Sequence, residues 1–174
     1  ELFNLNNKKN KLTVNDLGYL IGPILNAGGR LGKSSFASVL LSSDNIEVVN
    51  IKSNELIILN NKRKEIETLI LNEIDFQKIE KENKDVIIYY NPNINEGLIG
   101  IIAARLKDYF NKPSIVITKS NELLKGSARS IDKYNIGRAI KSSLDRNITN
   151  GMVLASTDTE IDDYNYNNDD YWLG

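Results

Sequence analysis

Gly126-Ser127-Ala128-Arg129-Ser130 sets small residues around one arginine, so the backbone can come close to an anion while a guanidinium fork and two hydroxyls hold it. That is phosphate chemistry done by side chains and amides. Lys125 adds a cation on its flank. The same ingredients recur upstream in the run from Gly22 to Gly32, where Gly28-Gly29 interrupts helical spacing, Asn26 can bond a loop backbone, and Arg30 is expected to open the next helix, whose N–H groups favour an anion. A third segment, Glu96 to Leu106, reads as an apolar helix with Gly100, Ala103 and Ala104 as a close-packing surface. The candidate anion-binding residues are thus Arg30, Lys125, Gly126, Ser127, Arg129 and Ser130. Each motif also has a plainer reading, as a glycine-serine turn with a surface arginine or a helix-helix corner with a capping asparagine. Glu96 reads as a helix-dipole partner and Arg105 as a surface or salt-bridge residue.

Composition bounds what else the chain can do. It has 174 residues, 41% of them hydrophobic, enough for one ordinary core with an extension. Cysteine and histidine are both absent, which removes disulfides, thiolate or imidazole metal ligands, and Ser-His or Cys-His nucleophile pairs. No apolar run reaches the roughly 20 residues of a membrane span, and no signal peptide opens the sequence, so a cytoplasmic protein without membrane contact is expected. The chain starts at Glu1, which suggests an excerpt of something longer. The net charge of −1 divides into +5 over residues 1–157 and −6 over 158–174. Residues 125–146 alone carry +4, a charge that suits a polyanion but also suits a solvated helix face. The clustered tail aspartates lack the alternation and glycine of a calcium loop.

The elements that must position these residues follow from periodicity. Apolar residues from Val14 to about Leu41 predict two short helices around a glycine loop, the first kinked at Pro23. Asp44 with Glu47 resembles a capping box, and the spacing beyond predicts one helix from about Asn45 to Glu82, some 55 Å long, with Lys62, Arg63, Lys64, Glu65 and Glu67 in water. The period then changes: strands are expected at 85–90, 113–118 and 122–128, and helices at 97–110 and 136–144, with an edge strand near Val153-Leu154 as an alternative to a tail that starts there. The fold class is α/β: a helical connector with one long helix leading to a small domain with a mixed sheet. Four regions are expected, namely a helical remnant at 1–43, the connector helix at 44–83, the α/β domain at 84–157, and an acidic, disordered tail at 158–174.

In this order the three segments resemble the C-terminal half of the RecJ-type single-strand-specific DNA exonucleases, over roughly residues 15–150. That family has a Gly-Pro-x-x-Asn-Ala-Ala-Gly-Arg-Leu-Gly corner, a long helix, and then a DHH-associated domain with a Gly-Val-Ile-Gly-Ile helix and a Gly-Ser-Gly-Arg-Ser strand end. The resemblance implies a hydrolase of DNA repair and recombination in which a separate DHH catalytic domain binds manganese or magnesium and activates water. The associated domain helps close a basic groove on single-stranded DNA. Carried over, Arg30, Ser127 and Arg129 meet a terminal phosphate or nearby backbone, Gly126 shapes the strand end, and Lys125 and Ser130 lie beside them.

This chain departs from the family pattern at Asn95, where a histidine is usual, at Gly28-Gly29, and at Ala128; a Gly-Gly-His segment is missing near Thr149–Leu154. The expectation is therefore a chain that binds single-stranded DNA, holds no cofactor itself, depends on the DHH domain as partner, and is inactive alone. The alternatives are a degenerate fragment that has lost binding, or part of a related phosphodiesterase for short oligonucleotides or cyclic dinucleotides.

Overall fold

The computed structural model describes residues 13–121, 123–132 and 134–146, together with the backbone of 154–156. The acidic tail expected over 158–174 and the departure at 149–153 lie outside the described residues.

Thr13 and Asp16 form a reciprocal capping box that starts a single helical turn, Val14–Asp16. A π-helical turn, Leu17–Ile21, follows and runs directly into α1, Gly22–Arg30. The Gly22 N–H bonds to the Leu17 carbonyl five residues back, and Pro23, which has no N–H, falls in the first turn of α1. The irregularity expected at Pro23 is this widened turn ahead of it. Gly28 and Gly29 do not form the expected loop; both are helical. The chain reverses one turn later, at Gly32, which alone of the described glycines has positive φ, +77°. Gly28 is small for another reason: a Cβ there would stand 2.6 Å from the Lys33 carbonyl oxygen, in the turn that leads to α2, Ser35–Ser42. Ile24, Leu40 and Leu56 form the core of this helical part.

The long helix α3 spans Ile46–Glu73. Its cap is Asn45, whose Oδ1 accepts from the Glu47 and Val48 amides, and not the expected Asp44. At 28 residues α3 is about 42 Å long, shorter than the single helix expected to reach Glu82. Ile74 turns extended so that its side chain enters the core, and Asp75 caps a separate helix α4, Phe76–Glu82, by accepting from the Lys78 amide at 2.9 Å. An interior aspartate that can bond the backbone two or three residues on is a competitive helix start, and here tertiary packing selects it. Phe76 then stacks on Phe110 and meets Tyr109 edge-on.

The α/β part runs β1 (Ile87–Tyr90), α5 (Ile99–Phe110), β2 (Ser114–Ser120), β3 (Leu123–Arg129), α6 (Ile136–Asp145) and β4 (Leu154–Ser156). The four strands lie in the order β1-β2-β3-β4, with β1 parallel to β2, β2 antiparallel to β3 and β3 parallel to β4. The sheet is therefore mixed and the fold α/β. Asn83, Asn111 and Asn121 take the left-handed conformation, ending α4, ending α5 and turning β2 into β3, places where glycine is the commoner choice. Leu98, Ile102, Leu106 and Val116 are fully buried between α5 and the sheet, and Ile70 and Ile74 join them from the connector. Each such aliphatic burial contributes about 1.5–3 kcal/mol, so the end of α3 is anchored to the sheet by the same core that holds α5. Among the described residues no helix is long and apolar enough to cross a membrane.

Candidate functional site

Residues two apart on a strand share a face, so Ser127 and Arg129 on β3 point to the same side of the sheet as Val116, which pairs with Ser127 and packs against α5. They meet the first turn of α5 at Gly100. A Cβ on Gly100 would lie 3.0 Å from Arg129 Nη2 and 3.2 Å from Ser127 Oγ. The Arg129 Nη1 donates to the Ala128 carbonyl at 3.0 Å and to Ser127 Oγ at 3.4 Å.

Arg30 arrives from the other side. It closes α1, so it stands at a helix C-terminus, where a cation is favourable, and not at the start of the following helix as expected. Its Nη1 donates to the Gly97 carbonyl at 3.2 Å, and its own backbone occupies the space beside Gly97: a Cβ there would fall 2.3 Å from the Arg30 carbonyl oxygen. Gly97 lies in the turn that leads into α5 and Gly100 in its first helical turn, three residues apart. The two arginines, remote in sequence, thus converge on one short stretch of chain.

Their charges are only partly offset. Burial lowers the Arg30 pKa from its ordinary value, the charges of Arg63 and Arg129 lower it further, and Glu67 opposes them. Arginine stays protonated regardless, so the effect is a local excess of positive charge. Arg63 and Arg105 share the Glu67 carboxylate at 2.8 and 2.7 Å. Among the described residues Arg30 and Arg129 bond only to a carbonyl or hydroxyl oxygen. Arg63 and Arg105 thus sit on the Glu67 carboxylate, Arg30 feels the charges of Glu67 and of Arg129, and Arg30, Arg63 and Arg105 line a groove between α1, α3 and α5 together with Asn26, Asn61 and Lys64. Such a group can hold an oxyanion by charge and by forked N–H donors.

The remaining predicted residues sit differently. Gly126 lies in β3 opposite Ile117, with room for a side chain, its Cβ position 3.6 Å from that residue. Lys125 pairs with Glu96 at 3.3 Å, and the Ser120 hydroxyl donates to the same carboxylate. Glu96 is thus a tether between the loop before α5 and the β2–β3 ribbon, whereas a helix-dipole partner was expected. Ser120, then Lys125, lowers its pKa. Ser130 is buried, and its Oγ accepts from the Ile136 amide at 3.1 Å, so it serves the start of α6 and is not brought to the arginine group.

Arg105 is the salt-bridge residue expected. Glu67 and Arg63, expected in water, are instead buried or nearly so, with side-chain exposures of 8% and 11%. A charge run on a helix gives no hint of this. The i, i+4 spacing of Arg63 and Glu67 is the one available signal, and it fits an exposed pair equally well. Among the described residues no three acidic side chains converge in a way that could hold a metal ion.

No family model matches the chain. Relatives do. The chain is 36% identical over 142 residues to the single-stranded-DNA-specific exonuclease RecJ of Escherichia coli strain K12, covering 78% of this chain and 25% of that protein. It is 31% identical over 134 residues to RecJ of Bacillus subtilis strain 168, covering 74% and 17%. Among solved structures, RecJ of Thermus thermophilus in complex with Mg2+ superposes with a TM-score of 0.63 at 26% identity, over 75% of this chain and 20% of that one. The Mn2+ complex of the same protein gives 0.64 at 25%, over 75% and 19%. The chain spans about a quarter or less of the length of these relatives. By sequence and by fold, over the part of their length that it spans, this chain is related to the RecJ-type single-stranded-DNA-specific exonucleases.

Proposed function

We propose that this chain is the strand-gripping part of a RecJ-like exonuclease, in which Arg30, Ser127 and Arg129 together take a phosphate group of single-stranded DNA over the first turn of α5. The observation that carries this reading is the meeting of two guanidinium groups, neither with a carboxylate partner among the described residues, at Gly97 and Gly100. Like charges held together repel, and a phosphate oxygen pair between them relieves that repulsion while filling the open N–H donors. Lys125, tied to Glu96, lies on the same face of β3 as Ser127 and Arg129, and Gly126 between them faces the other way. Ser130 has a capping role outside the site.

The relatives' names specify single-stranded DNA and exonuclease action, and the solved relatives contain Mg2+ or Mn2+. A bound divalent ion supplies an activated water for attack on a phosphodiester. The described residues do not fit as its ligands, so the reading gives this chain the binding of the strand and gives cleavage to a DHH domain that works beside it in the cytoplasm. Residues 1–43 and 44–83 then serve as the corner and connector to that domain, and 84–157 as the DHH-associated domain.

Binding of a fluorescent oligonucleotide, measured against salt for the chain and for Arg129→Ala, tests the reading. Counterion release predicts a linear fall of log affinity with log salt, steeper for the unsubstituted chain. Equal, weak affinity in both would instead mark a fragment that has lost binding.

A further inference from the structure

Glu67 has two oxygens and gives one to each side of the junction. Oε2 accepts from Arg63 Nη1, one turn earlier on α3, and Oε1 accepts from Arg105 Nε, which belongs to α5 and lies 38 residues on. Arg63 is further fixed by donating from Nε to Asn60 Oδ1 at 3.2 Å. The carboxylate thereby clamps α3 to α5, and α5 follows the Gly97 carbonyl that receives Arg30 and carries the Gly100 against which Arg129 and Ser127 lie. Arg63 and Arg105 each give one N–H to Glu67, whereas Arg30 and Arg129, which flank Gly97 and Gly100, are not bonded to it.

We propose that Glu67 is a positioning residue of the anion site: it engages Arg63 and Arg105, so that Arg30 and Arg129 alone face the phosphate, and it fixes α5 beneath them. The inference rests on the phosphate reading of Arg30 and Arg129. Without the Glu67 charge, Arg63 and Arg105 become two more loose cations beside the site. General attraction for a polyanion is then kept or increased, while the geometry that distinguishes a phosphate group at a strand end from a bare hydroxyl is lost. A residue that served only stability would not separate those two properties.

The test compares oligonucleotides of one sequence carrying a 5′ phosphate, a 3′ phosphate, or hydroxyls at both ends, bound to the full chain, to Glu67→Gln and to Arg105→Gln. Leu56→Ala, in the other core, serves as a variant destabilised without touching the group. The unsubstituted chain and Leu56→Ala are expected to prefer one phosphorylated end by about tenfold, the scale of a charge-assisted hydrogen bond. Glu67→Gln is expected to bind the hydroxyl-ended strand as well or better and to prefer the phosphate by less than about threefold. Arg105→Gln, whose side chain is 56% exposed and so open to replacement, is expected to lose part of the preference and decides the matter if Glu67→Gln does not fold. Unchanged preference in Glu67→Gln, or in Arg105→Gln where that variant must decide, overturns the role of Glu67. Absence of any preference in the unsubstituted chain overturns the phosphate reading itself.

Discussion

The Arg30 guanidinium donates to the Gly97 carbonyl at 3.2 Å while the Arg30 carbonyl fills the place a Gly97 side chain would take, 2.3 Å from its Cβ position. One residue pair therefore fixes both the approach of α1 to the chain entering α5 and the direction of the guanidinium. Arg129 has the matching relationship with Gly100, but through its side chain alone.

That difference gives opposite expectations for two glycine substitutions. Gly97→Ala forces backbone against backbone, and is expected to destabilise the fold by about 1–3 kcal/mol or more, the range for overpacking a close contact. Gly100→Ala meets only the tip of Arg129 and Ser127 Oγ, which can move. Alanine also favours the helix by about 1 kcal/mol over glycine. Its stability is expected to hold or rise while oligonucleotide affinity falls. Thermal melts beside binding curves distinguish the two; equal loss of stability in both contradicts the account.

Ser130→Ala separates a cap from a ligand. The hydroxyl accepts from the Ile136 amide, so its loss is expected to cost about 1 kcal/mol of stability. Oligonucleotide affinity should change by less than about twofold, since the hydroxyl makes no contact with the arginine group. A large affinity loss at unchanged stability would place Ser130 in the site after all.

These residues also show what the sequence could and could not disclose. Strands β1 to β3, α5 and α6 were legible because the helical period gives way at Val86 to a continuous β-branched and aromatic run, and returns afterwards, whereas β4 was expected only as the alternative to a tail. Arg30 was legible as a candidate but misplaced. Adjacent glycines look like a flexible break, whereas Gly28 is small because the Lys33 carbonyl passes 2.6 Å from where its Cβ would be. The end of α3 was missed because Asp75 looks like any surface aspartate until Ile74 is drawn into the core. Glu67 was hidden for the same kind of reason: its burial is decided by Arg105, a partner distant in the chain, and local pattern carries no trace of it.

The loop tether at Glu96 has a defined pH behaviour. The Ser120 hydroxyl, and then Lys125, hold its carboxyl below the ordinary value. A carboxyl lowered on folding contributes at pH above its unfolded pKa, and the contribution is lost as pH falls through the lowered folded value. The tether is thus complete at neutral pH and released only in acid. Following the Glu96 carboxyl carbon by NMR titration should give a midpoint below the ordinary value for a glutamate; a midpoint at or above it contradicts the contact. Because the pair is exposed, Glu96→Gln is expected to change stability at neutral pH only slightly.

The most direct measurement is a double-mutant cycle on oligonucleotide binding with Arg30→Ala, Arg129→Ala and the pair. Each single change is expected to cost about 1.5–3 kcal/mol, the range for a charge-assisted hydrogen bond. If both guanidinium groups hold the same phosphate, the losses are coupled, and the double variant deviates from their sum by about 0.5–3 kcal/mol. Losses that add to within about 0.3–0.5 kcal/mol would mean that the two arginines act on separate parts of the strand, and would contradict the shared site.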